Sequence, residues 1–525
     1  MQFKHLRVCE ILDFAALNHA DTEVVSRLAD GVVRHGYADI RRRARRAAHA
    51  LTGLGLGRGD AVATLAWNHH RHLELYYAIP GFGGVIHTIN PRVSPDQIAY
   101  MIDVAEDRAL AFDSDFADLV KAVAARVARP LQLIELTAGP VTLPGALSYE
   151  ALIEGASEDF DWVSGEETDR FGLCFTSGTT GEPKGVAYTH RSTVLHAMAC
   201  CMAEAQAVSS RETILPVVPM FHANAWGLAH SAPMAGARLV LPGRQLDGAS
   251  LLDLIKQERV TFLCGVPTVW QAILDTAEAL GKSLEPLRRA GMGGSAPSEA
   301  MIERLEAGGA DVFHAWGMTE TNPSAGTGFL KAKHLVEPAA EQRKRKVGQG
   351  RPIFGLERRL VSEEGAPLPH DGAHAGRLQV RGNWVVDQYI NAERTAVDSE
   401  GWFDTGDVAT IDGDGYMQLV DRSKDLIKSG GEWISSIELE NLALGVDGVA
   451  YAAALGKPDR KWGERPIMVV VRRPGHAVTE ADILRAMSHK LMKWQVPDAV
   501  VFREGLPLTA VGKIDKKALR ADLFA

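Results

Sequence analysis

Short apolar runs alternate with helix-spaced segments through most of this chain, and that alternation limits the folds open to it. Asp60 to Ala66 (DAVATLA) reads as a short buried strand, and Leu73 to Ala78 begins a helical stretch. Gly84 to Ile89 (GVIHTI) returns to strand, and Pro95 to Ala105 (PDQIAYMIDVA) has helical spacing with proline at its opening. Arg108 to Phe112 is strand again, and the pattern recurs at Arg238 to Leu241, Leu251 to Arg259 and Thr261 to Cys264. Strands alternating with helices of about 10–15 residues imply parallel sheets covered by helices.

After about Pro352 the character changes. Short β-like runs (GRLQVRG, YMQLVDR) are separated by turns such as Asp412-Gly413-Asp414-Gly415, which suggests a small β-subdomain closing the large one. A further αβ segment runs from about Leu426 to the end, with a strand at Pro466 to Arg472 and a helix at Glu480 to Lys493. The charged run Asp421-Arg422-Ser423-Lys424-Asp425 is the candidate linker. At 525 residues the chain is too long for one core. The expected division is an N-terminal domain over 1–421 (β-subdomain about 352–421), a hinge at 422–425 and a C-terminal domain over 426–525. The expected class is α/β: a large domain of parallel sheets flanked by helices, a small β-subdomain, and a small α+β C-terminal domain.

Composition excludes several classes. A formal net charge of −9 lacks the basic footprint of a nucleic-acid-binding protein. No segment approaches about 18 continuous apolar residues, so no transmembrane helix is expected, and the charged N-terminus carries no signal-peptide pattern. Five scattered cysteines without CxxC spacing indicate neither a disulfide framework nor a zinc site, and point to a cytoplasmic setting. Arg41 to Arg46 (RRRARR) reads as a solvated helix face, and Arg343 to Lys346 (RKRK) as a mobile surface loop. His69, His70 and His72 read as surface and core histidines, without an acidic or cysteine partner nearby to complete a metal site.

Chemistry concentrates at Thr176 to Gly185 (TSGTTGEPKG), directly after the strand-like run Phe171 to Phe175. Small hydroxyl residues and glycines let the backbone curl and point several N–H groups at one anion. Lys184 adds a point charge for phosphate. It is not the mononucleotide P-loop G-x-x-x-x-G-K-[ST], because Pro183 precedes Lys184 and Gly185 follows it.

This stretch resembles the phosphate loop of the adenylate-forming superfamily of acyl- and aryl-CoA synthetases, peptide-synthetase adenylation domains and luciferases. Further motifs follow in the family's order: Pro219-Met220-Phe221-His222, Gly293-Gly294-Ser295-Ala296-Pro297, Trp316-Gly317-Met318-Thr319-Glu320, Trp402 to Asp407, Asp421 to Asp425 and Gly512-Lys513. The resemblance covers about residues 10 to 520 and implies a set of roles. Thr176, Ser177, Gly178, Thr179, Thr180, Gly181 and Lys184 would hold the phosphates of ATP. Gly294, Ser295, His314, Trp316, Gly317 and Thr319 would surround the nucleotide, with Trp316 offering an aromatic face near the adenine. Asp407 suits the ribose hydroxyls, since a carboxylate has two acceptor oxygens, and Arg422 would be the second ribose contact. Glu320 with the Thr176 hydroxyl would hold Mg²⁺ against the phosphates. Lys513 would swing onto the α-phosphate as pyrophosphate leaves.

The implied reaction has two steps. A carboxylate attacks ATP to give acyl-AMP and pyrophosphate, with Lys513, Lys184, Thr176 and Glu320 as the catalytic group. The C-terminal domain then pivots near Lys424 and brings Lys428, Gly430, Gly431 and Trp433 to the site for coenzyme A. The acyl pocket is expected between His222 to Trp226 and Gly293, Ala296 and Pro297. VVPMFHANAWG and TINPR are similar to medium- and long-chain fatty-acyl-CoA synthetases, in which a tryptophan at the position of Trp226 gates an apolar tunnel. HAWGMTE at His314 to Glu320 also resembles ligases for 3-methylmercaptopropionate, a short thioether acid. Aryl acids, and a carrier protein in place of coenzyme A, stay open, as does a catalytically dead protein that senses ATP or acyl-AMP. The long-chain relatives imply a homodimer. One departure is Arg377, where the family usually has Glu before the LxVRG strand; a contact of the small subdomain is at stake there, and no effect on activity is expected.

Overall fold

The computed structural model describes every residue except 177–181, 423–424, 431, 510–513 and 525. Two large sheets carry the N-terminal part. One runs in the order Leu147–Ser148, Gln132–Glu135, Ala109–Phe112, Ala61–Leu65, Val85–Thr88, Arg170–Phe175, Gly185–Thr189. It is parallel throughout except for the last pair, where the chain doubles back as a hairpin around the phosphate-loop sequence. The other sheet has nine strands with a parallel centre built from Glu23–Leu28, Arg238–Leu241, Thr213–Pro216, Phe262–Gly265, Arg289–Met292 and Asp311–Gly317. Parallel sheets must be covered on both faces, and the helix His70–Gly81 does this from between them: every one of its residues is buried.

That burial explains the HRHLE letters, which resemble a surface. His69 pairs with Asp113 at 2.7 Å, so an acidic partner is present, 44 residues away in sequence. His72 reaches Thr64 and the Trp67 carbonyl. Glu74, with no exposed surface, takes Arg43 at 2.6 Å and the Tyr149 hydroxyl at 2.7 Å. A buried charge is tolerable only when it is paired and hydrogen-bonded. Arg43 therefore belongs to an internal network with Glu74 and Glu150 rather than to a solvated face. Its neighbours Arg41, Arg42 and Arg46 also have carboxylate partners. RKRK is likewise not a loop: it lies in the helix Ala339–Val347, and the buried Lys346 binds Glu306 and Asp311 at 2.9 and 3.0 Å.

A four-stranded antiparallel sheet follows (Leu356–Val361, Gly376–Gly382, Phe403–Ile411, Met417–Arg422). Arg377 does not disturb it, since its guanidinium bonds Asp404 across the pair at 2.9 Å. The remaining segment has its own sheet around Val449–Asp459 and Gly463–Arg472 and its own core of Ile427, Leu439, Val449, Met468 and Ile483. Its helix Glu480–Ser488 is shorter than the sequence pattern suggests. Arg465 draws the carbonyls of Trp494 and Val496 to itself, and the chain beyond Ser488 turns instead of continuing the helix.

Candidate active site

A cavity of about 1960 Å³ opens where the two large sheets, the small antiparallel sheet and the C-terminal segment meet. Its lining includes Thr176, Lys184, His222, Trp226, Gly294, Ser295, Ala296, His314, Trp316, Gly317, Thr319, Glu320, Asp407 and Arg422. Ligand crevices lie at the carboxyl ends of parallel strands, and Arg170–Phe175 and Arg289–Met292 both end here.

On the first side, the Thr176 N–H donates to the Lys184 carbonyl at 2.9 Å, and the Lys184 N–H to the Thr176 hydroxyl at 3.3 Å. Opposite lies the short turn Thr319–Thr321. Gly317 precedes it for a steric reason: a Cβ there would sit 1.8 Å from the Pro323 carbonyl oxygen. The turn is held by the Tyr188 hydroxyl, which donates to the Thr319 carbonyl at 2.8 Å. Glu320 is 8% exposed, and burial raises its pKa, with Tyr389, Arg422 and Lys184 pulling the other way. A carboxylate destabilised by desolvation gains most from a cation. Among the described residues there is no cluster of three or more potential ligands, and a carboxylate and the Thr176 hydroxyl lining one cavity suit a hard cation completed by substrate oxygens. Tyr389, absent from the sequence reading, donates to Glu320 Oε1 at 2.9 Å. Its surroundings (QYINAERTA) carry no periodicity that would have marked it.

On the second side, Asp407 and Arg422 face each other across adjacent antiparallel strands. Asp407 is 1% exposed; its Oδ1 meets Arg422 Nε at 2.7 Å and its Oδ2 accepts from the Trp316 indole at 3.2 Å. Trp316 thus serves as a hydrogen-bond donor to the carboxylate. His314 lines the same wall, but its Nδ1 is committed to the Val347 carbonyl at 2.8 Å, and burial holds its pKa down at about 4.

The third side holds an unusual backbone. Ala223, Asn224, Ala225 and Trp226 have φ of 47°, 54°, 50° and 56°, followed by Gly227 at 83°. Left-handed geometry costs L-residues about 1–2 kcal/mol each and rarely extends past one residue, so the turn needs outside support. Asn224 accepts from the Tyr76 hydroxyl at 3.2 Å, and Gln206 donates to the Trp226 carbonyl at 3.0 Å. The Trp226 indole then packs on Gly293, where a Cβ would lie 2.8 Å from its ring. Gly293 and Pro297 are not among the residues lining the cavity; Gly293 acts from behind Trp226. The sequence offered little signal for this turn, since no glycine lies among Ala223 to Trp226.

Of the residues expected to receive coenzyme A, the described ones (Lys428, Gly430 and Trp433) are not brought here. Lys428 pairs with Trp433 across a hairpin, and Gly430 (φ 64°) packs on Trp462, outside the cavity lining. The C-terminal segment instead presents Glu440, Tyr451 and Lys516 to the cavity. Ser177 to Gly181, Lys424, Gly431 and Lys513 lie outside the described residues.

Two family models match this arrangement: "AMP-binding enzyme" over residues 12–390, and "AMP-binding enzyme C-terminal domain" over residues 438–513. The chain belongs to the AMP-binding enzyme family. This AMP-binding enzyme is 47% identical to a 3-methylmercaptopropionyl-CoA ligase of Ruegeria lacuscaerulensis, covering 99% of the chain and 98% of the relative. It is 44% identical to a long-chain-fatty-acid–CoA ligase of Thermus thermophilus, over 99% and 96%. Its fold matches the crystal structure of the anthranilate CoA ligase AuaEII in complex with anthranoyl-AMP, with a TM-score of 0.89 at 22% identity, over 99% and 98% of the two chains. Among the described residues of this AMP-binding enzyme, no helix is long and apolar enough to cross a membrane.

Proposed function

We propose that the protein is an ATP-dependent carboxylic acid–CoA ligase that forms an acyl-adenylate and then an acyl-CoA. The observation carrying this reading is that Glu320, the Asp407–Arg422 pair and Trp226 line one cavity beside Thr176 and Lys184. In this reading the phosphate side takes ATP, the Asp407 side its ribose, and the Trp226 side the acid. Thr176 and Glu320 would hold Mg²⁺, which neutralises phosphate charge when bound. Lys184 adds a fixed cation, and Lys513 a second as charge develops on the α-phosphate. After adenylation, the C-terminal segment would turn about 422–425 to exchange Lys513 for Lys428, Gly430, Gly431 and Trp433. Glycines at the new face would admit the pantetheine arm close to backbone.

The acid we favour is a medium- or long-chain fatty acid, as the Pro219 to Trp226 motif and the relative in Thermus suggest. A short thioether acid is the second reading, favoured by the relative in Ruegeria and by the indole of Trp226 standing against Gly293. Incubating the enzyme with ATP, Mg²⁺, coenzyme A and a panel of acids separates them. The panel would span C4 to C18 fatty acids, 3-methylmercaptopropionate and aryl acids. Equal yields of AMP and acyl-CoA support the ligase and name the acid. Acyl-AMP without acyl-CoA would move the acceptor to a carrier protein, and no product from any acid would defeat the proposal.

Trp226→Ala is expected to lengthen the preferred acyl chain, raising kcat/KM for longer acids over the best wild-type acid by about tenfold while KM for ATP stays within twofold. Loss of one aromatic wall changes discrimination by about 1–3 kcal/mol, on the scale of methylene selectivity. An unchanged chain-length profile would make Trp226 a packing residue only.

A further inference from the structure

The segment from Trp384 to Ile390 grips both halves of the phosphate side. The Val386 N–H donates to the Glu320 carbonyl at 2.7 Å, and the Ile390 N–H to the Gly185 carbonyl at 2.9 Å. The Ile390 side chain also fills the space in which a Cβ on Gly185 would lie, 2.6 Å away. Between these two anchors stands Tyr389, which lines the cavity. Its hydroxyl donates to Glu320 Oε1 at 2.9 Å, and the Lys184 ammonium sits 5.0 Å from its ring centroid. One side chain therefore touches the anionic and the cationic residue assigned to the phosphates, although they come from separate segments.

Packing alone does not account for both contacts. A phenylalanine would fill the same volume, so the hydroxyl is explained by its bond to the carboxylate. A charge-assisted bond of this kind fixes a carboxylate's orientation more firmly than a neutral one. The ring face offers the lysine an electrostatic resting place, weak enough to be exchanged for phosphate oxygens.

We propose that Tyr389 is a positioning residue for metal–nucleotide binding: its hydroxyl orients the Glu320 carboxylate toward the cation, and its ring holds the Lys184 ammonium beside the phosphate path. The inference rests on the proposed adenylation chemistry and assigns it a residue outside the seven motifs. The two contacts can be separated. Tyr389→Phe removes the hydroxyl and keeps the ring; Tyr389→Leu removes both.

The test measures binding of Mn²⁺ with a non-hydrolysable ATP analogue by electron paramagnetic resonance. Alongside it, ATP–pyrophosphate exchange is followed as a function of Mg²⁺. Tyr389→Phe is expected to weaken Mn²⁺ binding and raise the half-saturating Mg²⁺ by about tenfold, the scale of one hydrogen bond to a charged group. Thioester formation from supplied acyl-AMP and the thermal midpoint should stay as in the wild type. Tyr389→Leu should add an increase in the KM for ATP. In a Glu320→Gln background, Tyr389→Phe should change metal binding by less than twofold, because the hydroxyl acts through the carboxylate. Wild-type metal dependence in Tyr389→Phe, or an undiminished effect in the Glu320→Gln background, would overturn the proposal. The Mn²⁺ measurement needs no acid, so it stands or falls separately from the ligase assignment, which fails if the wild type converts no acid.

Discussion

Replacing Lys513 with alanine is expected to slow acyl-adenylate formation by about 10²–10³-fold, the effect of deleting one group aimed at developing charge in a water-poor site. The described residues flanking it are informative. Leu508 pairs with Ile514, and both Thr509 and Ile514 line the cavity that holds Thr176, Lys184 and Glu320. Described residues on both sides of Lys513 in sequence therefore reach the cavity. Attack of a carboxylate on the α-phosphate builds negative charge on the oxygens between entering and leaving groups. Attack of a thiolate on the adenylate carbonyl builds it elsewhere. The two half-reactions should separate accordingly: pyrophosphate exchange falls, while acyl-CoA formation from supplied acyl-AMP and coenzyme A stays within about twofold. Equal losses in the two would remove Lys513 from the role.

The roles given to Thr176, Glu320, Asp407, Arg422 and Lys513 come from the resemblance of short contiguous strings to family motifs; the first four line one cavity, and Lys513 lies outside the described residues. The strands and helices legible in sequence also rest on short contiguous strings. Pro95–Ala105 has its Ser94 capping box and proline at the start, so local signals alone define it. What could not be read is what long-range contacts decide. The helix His70–Gly81 looks polar until Asp113, Arg43, Tyr149 and Glu150 are brought to it. Tyr389 acquires its place only when it meets Glu320, 69 residues away. The left-handed turn at Ala223 to Trp226 is imposed by Tyr76 and Gln206 against the preferences of its own residues. The coenzyme A set is a different case. The motif was readable, but the segment carrying it turns another face, that of Glu440 and Lys516, toward the cavity.

Asp407 is where a single substitution should most affect nucleotide binding. Its carboxylate is buried between an indole N–H and a guanidinium, and each oxygen retains acceptor capacity beyond those bonds. The nearby hydroxyls of a ribose are natural donors to it. Asp407→Asn keeps the shape but puts an amide NH₂ against either Arg422 or Trp316, both of which only donate. Asp407→Ala goes further: it leaves the buried indole N–H without its acceptor, at about 1–3 kcal/mol, and the exposed Arg422 guanidinium without its anion. The KM for ATP is expected to rise by about tenfold in the asparagine variant and about 100-fold in the alanine variant, at about 1.4 kcal/mol per decade. The KM for the acid should be unchanged, because Trp226 belongs to another wall. Arg422→Ala should raise the KM for ATP as well. Combined with Asp407→Ala it should add little, because neighbours in one network are not additive. Steady-state kinetics with ATP and acid varied separately decides the matter: an acid KM that rises while the ATP KM holds would transfer Asp407 from the nucleotide side to the acid side.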